Sequence, residues 1–176
     1  DDGNANAFTA TAAITAKASW TAKIAAEDST KIVISPYIQA PTSEAGAMRS
    51  FGGGNETLGG VEQNIGREPT PFSGVMRGIP QTVIATMKPL QCESLGENLG
   101  VFLFNENGDI ECIKDGTKHL PIPIRSFFVG DKTHGGLEAP DGNAISWTFL
   151  PNYSDDLVVV TPADFNPLTD LKPAVA

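Results

Sequence analysis

Cysteine, histidine and basic residues are all scarce in this chain. Of 176 residues, two are cysteine, two are histidine and 12 are lysine or arginine. Cys92 and Cys112 are not in a Cys-x-x-Cys arrangement. They read as two buried thiols ahead of a disulfide, and neither demands an oxidising compartment. His119 and His134 are separated by a strand and lack a His-x-x-x-His spacing, so both read as surface or turn residues rather than zinc ligands. The bases face 21 acids, a formal net charge of -9, which excludes a broad basic surface for nucleic acid and suits a non-adhesive acidic one. No apolar run approaches the roughly 20 residues of a membrane span. The start, "DDGNANAFTATAAITAK", is too acidic and polar to read as a signal peptide.

Catalytic signatures are absent as well. A Walker loop needs a lysine after its second glycine, but Gly59 is followed by Gly60 and Val61. A dinucleotide loop needs a third glycine where Thr57 stands, and no helix pattern begins there. There is no Gly-x-Ser-x-Gly elbow and no cysteine in a histidine context. "DGNAIS" lacks the oxygen ladder of a calcium loop, and "NYSDDL", with Asp155 and Asp156, reads as a hairpin turn of solvated charge. Asn55 and Asn152 match the glycosylation pattern, which arises often by chance. The expectation is a protein without enzymatic activity, metal, nucleotide or covalent cofactor.

What is present suits one domain. Hydrophobic residues make up 40%, enough for a core. Residues 1–18 read as an N-terminal arm, flexible or docked, 19–162 as one β-rich domain, and 163–176 as an extended tail. "SWTAKIAAEDS" predicts a short helix with Ser19 as N-cap and Trp20 and Ile24 on one face. "KIVISPYIQ" predicts a strand ending at Pro36. In "GIPQTVIATMKPLQCES", Ile79, Val83, Ile84, Met87 and Leu90 recur at helical spacing, with Pro89 set to kink or end the helix. "LGVFLFNENGDIECI" predicts a hairpin over Val101–Ile113 turning at Asn105–Gly108. Strands follow in "IPIRSFFVGD", placed at an edge or strand start by Pro121 and Pro123, in "AISWTF", and over Leu157–Thr161. The fold class is α+β, mainly β: a sandwich or barrel with one or two short helices.

Eight of the 18 glycines fall between Arg49 and Gly78. A structureless loop of such length inside a compact domain asks for a special role. Apolar residues also recur through it, unlike a solvated linker. Phe51, Leu58, Val61, Ile65, Phe72 and Met76 are therefore the candidate inter-subunit contacts. The segment from Phe51 to Met76 is expected to lie on a neighbouring copy and be ordered by it, the alternative being a mobile surface loop.

The run "IPIRSFFVGDKTHGGLEAPDGNAISWTFLPNYSDDLVVVTPADFNPLTDL", within a likeness spanning Leu99–Leu171 and more weakly "GGGNETLGGVEQ", resembles virion structural proteins of tailed phages, particularly those infecting Bacteroidetes. The resemblance implies a tail-tube or neck-ring subunit, assembled in the bacterial cytoplasm. It implies partners in further copies of itself and in other virion proteins, with DNA passing through the lumen without specific binding and no membrane partner. A head-decoration or connector protein is the near alternative. A monomeric carbohydrate-binding or adhesin module, with Trp20, Trp147, Tyr37 and Tyr153 as its sugar platform, is the distant one.

Overall fold

The computed structural model describes residues 6–95 and 98–172. The first five residues of the expected arm and the last four of the tail, Pro173 among them, lie outside the described residues. The protein is mainly β, 37% strand and 20% helix, with a curled antiparallel sheet and a few short helices.

Two sheets form the body. In the first, β1 (Gln39–Ser43), β4 (Thr70–Arg77), β10 (Gly142–Phe149), β9 (Ile122–Thr133) and β5 (Gly100–Val101) lie side by side in that order. In the second, β11 (Leu157–Val160) and β6 (Leu103–Phe104) flank β7 (Ile110–Asp115), which also pairs with β8 (Lys118–Leu120). Only Phe102 separates β5 from β6, so the chain changes sheets there. The expected hairpin forms between β6 and β7. Asn105 Oδ1 accepts the N–H groups of Asn107 and Asp109 at 3.0 and 2.9 Å, and Gly108 supplies the positive φ of 85° that closes the turn.

Alternation puts one face of β10 inward: Asn143, Ile145, Trp147 and Phe149 are buried. The long β9 holds the same orientation only because it carries a bulge. Ile122 and Ile124 point inward, Ser126 takes a φ of 54°, and the inward set resumes at Phe127 and Val129. Met76 from β4 joins them, with Ile84 of α3 (Gln81–Met87) and Leu90 of α4 (Leu90–Leu95) packed on this first core. Pro89 separates α3 from α4, as its missing N–H requires.

A second core lies on the other face of β7. Ile110 and Cys112 point into it, where they meet Phe8, Ile14, Trp20 and Leu171. The N-terminal segment takes the docked one of its two expected states: α1 (Thr11–Ile14) and α2 (Lys17–Ala25) cover this core, and Phe8 exchanges two backbone hydrogen bonds with His119, at 2.9 and 2.8 Å. Several other expectations are corrected here. Ser19 lies inside α2 and caps nothing. The Lys17 N–H at its start is instead satisfied by Asp164 Oδ1, 2.9 Å away and 147 residues on. The tail is not extended: Asn166 caps a short helix, α5 (Pro167–Asp170), which places Leu171 in the core. "KIVIS" forms no strand. It runs unpaired between the cores, with Ile32 and Ile34 on the second and Val33 on the first.

His119 is buried too, at 2% exposure, and its Nδ1 has no hydrogen-bond partner. Burial first, and then the Lys114 charge opposite it, hold its pKa below the ordinary 6.5. The folded state therefore favours the neutral ring, so the unfolded chain takes up the proton first as pH falls below 6.5. Stability should decline over that interval and level off below the folded pKa. Urea midpoints at pH 7.5 and 5.5 should differ less for His119→Gln than for the unaltered protein. An equal difference in both would contradict this.

Candidate inter-subunit arm

The glycine-rich stretch contains ordered structure that its sequence did not announce. β2 (Met48–Phe51) pairs antiparallel with β3 (Gln63–Arg67), and among the described residues neither strand pairs with anything else. All nine of their residues are exposed. The result is a protruding two-stranded arm without a core of its own. Its strands are displaced by one residue between Arg49 and Ser50, which leaves Ile65 as the bulged residue of β3. At the tip, Thr57 Oγ1 donates to the Val61 carbonyl at 2.6 Å and accepts from the Gly53 N–H at 3.4 Å, bracing a turn built on glycines of positive φ.

The base is tightly held. A Cβ at Gly46 would stand 1.8 Å from the Glu68 carbonyl oxygen, so only glycine lets the two legs approach. The Glu68 N–H donates to the Ala47 carbonyl at 2.8 Å, and the Gly46 N–H donates to Thr70 Oγ1 at 3.2 Å. The first link joins the two legs, and the second ties the arm to the first residue of β4.

Four of the six anticipated contact residues are displayed on this arm. Phe51 is 53% exposed, Leu58 101%, Val61 62% and Ile65 63%. The other two are not available. Phe72 stacks on Trp147 at 4.1 Å, and Met76 is fully buried in the first core. Both belong to β4, an interior strand of the five-stranded sheet, and this corrects the expectation that the arm reaches Met76. Thr70 and Gly74 share the inward positions of β4 with Phe72 and Met76, so the apolar alternation of a strand is broken in the sequence. Gly74 is there because Ile38 fills the space beside it, with Ile38 Cγ2 only 2.3 Å from where a Cβ would sit. Met48, 56% exposed at the foot of β2, is a further displayed residue that spacing gave no reason to single out.

Charge adds to the picture. Arg49 and Arg67 lie on the two strands of the arm, both exposed, and among the described residues neither is paired with a carboxylate. Beneath them a groove of about 650 Å3 runs along the arm's base, lined by Ala45, Met48, Asn64, Arg67, Glu68 and Tyr153 among others. Tyr153 is stacked on Phe149 at 4.4 Å and so presents a fixed surface.

Among the described residues no cluster of three His, Cys, Asp or Glu is placed to hold a metal ion. Cys92 is exposed and Cys112 buried, both as free thiols, and burial pushes the Cys112 thiol up to about 11, away from reactivity. Trp20 and Trp147 are core residues, while the Tyr37 hydroxyl donates to the Leu168 carbonyl. Two of the four aromatics of the sugar-platform reading are therefore unavailable. No helix among the described residues is long and apolar enough to cross a membrane. Compared with known proteins, the chain matches no family model, no curated protein and no solved structure.

Proposed function

We infer that the chain is a structural subunit of a tailed-phage virion that assembles with copies of itself into rings, and that the rings stack into a tube through which DNA passes. The observation that carries this reading is the arm. An isolated two-stranded hairpin is marginal in water, and this one displays Met48, Phe51, Leu58, Val61 and Ile65, each more than half exposed. Apolar residues grouped on a projection with a stiff base suit insertion into a second molecule. The net charge of -9 is compatible with a lumen that does not retain DNA. Head-decoration or connector duty would use the same arm in a different ring.

Electron microscopy of the purified chain tests the reading. Rings or tubes of uniform diameter are expected. Dispersed particles of the size of one 18.5 kDa chain at every concentration and salt tried would sink it.

A further inference from the structure

The loop at residues 134–141 is largely exposed, and it sits at the opposite end of the same sheet. β4 and β10 run side by side for eight residues, from Phe149 opposite Thr70 to Gly142 opposite Arg77. The arm and its groove adjoin the Thr70 end, and the loop leads into Gly142 at the other. At about 3.4 Å per residue the two ends are roughly 25 Å apart.

The loop is braced from within. Asp141 is bound by Lys132 Nζ at 2.6 Å and by the Gly135 N–H at 3.2 Å. A Cβ at Gly135 would stand 2.1 Å from the Ala139 carbonyl oxygen, so the loop closes tightly on itself. What this scaffold displays is Leu137, 107% exposed, followed by exposed Glu138, which has no cation partner among the described residues. A rigid turn that presents a bare leucine and an unpaired carboxylate has the form of a plug.

The groove at the arm's base offers the complement: the apolar surfaces of Met48 and Tyr153 beside the unpaired Arg67. Glu68 also lines it, so the guanidinium acts in a mixed field. We propose that Leu137 and Glu138 of one copy seat in the groove at the base of the arm of the next, Leu137 against Met48 and Tyr153 and Glu138 against Arg67. Plug and socket lie at opposite ends of one sheet, so the contact is head-to-tail and propagates along the strand direction. It rests on the self-assembly reading above and specifies which surfaces meet between successive copies.

Cross-linking and charge exchange test it on the full chain with Cys92→Ser, which removes the exposed native thiol. Combining Leu137→Cys with Met48→Cys should yield a ladder of disulfide-linked oligomers under mild oxidation, while each alone yields none. Glu138→Arg and Arg67→Glu should each raise the concentration needed for half-assembly at least about fivefold, and the double variant should restore it. A dimer from Leu137→Cys alone would mean a two-fold contact and overturn the proposal. So would rings or tubes that form normally with both single charge variants and no ladder; that result leaves the self-assembly reading standing. Absence of any assembly from the unaltered chain overturns both.

Discussion

Excising residues 48–67 and joining Ala47 to Glu68 through an Asn-Gly turn should leave a folded monomer that no longer forms rings or tubes. The ends are already hydrogen-bonded to each other at 2.8 Å, so a two-residue turn closes the gap. Among the described residues β2 and β3 pair only with each other, and all their residues are exposed, so folding stability should stay within about 1 kcal/mol of the unaltered chain. Assembly is another matter. Full burial of Phe51, Leu58, Val61 and Ile65 on a neighbour is worth roughly 1.5–3 kcal/mol each, less the cost of association. In a ring, every copy would give one such contact and receive one. The boundaries are decisive: a deletion carried on to Gly74 would remove part of β4 from between β1 and β10, and should unfold the protein rather than merely free it. Urea unfolding and electron microscopy of both deletions check this. If the 48–67 deletion still assembles, the arm is not the inter-subunit contact.

Removing residues 1–16 should be far more damaging than loss of an appendage. Phe8 and Ile14 are 2% and 0% exposed, and each contributes about 1.5–3 kcal/mol by burial. Phe8 also lies 4.7 Å from Trp20, ring centre to ring centre, and its backbone bonds cover His119. Trp20 Nε1 donates to the Ile14 carbonyl at 2.8 Å and would be left a buried orphan, at a cost of about 1–3 kcal/mol. Together these losses approach the whole stability of an ordinary domain, about 5–15 kcal/mol. The truncated chain should be unfolded or lose most of its urea resistance. An unchanged midpoint would show that the second core does not need this segment.

The sequence by itself determined the features whose causes are local. The Asn105–Gly108 turn follows from residues that tolerate its dihedrals, the break at Pro89 from a missing donor, and the inward set of "AISWTF" from strict alternation. Four of the displayed arm residues, Phe51, Leu58, Val61 and Ile65, were also legible, because apolar residues among glycines have no local reason to be there. Only the tertiary structure decided the rest. Whether "TPFSGVM" is a loop or an interior strand depends on Ile38 filling the place of a side chain at Gly74. Whether "KIVIS" pairs depends on two cores that claim its alternate residues from opposite sides. The start of α2 is capped by Asp164, and Leu137 and Met48 become candidates as plug and socket only because the 134–141 loop and the arm adjoin opposite ends of one sheet. Each of these is set by a partner tens of residues away, and a spacing rule along the chain contains no term for such a partner.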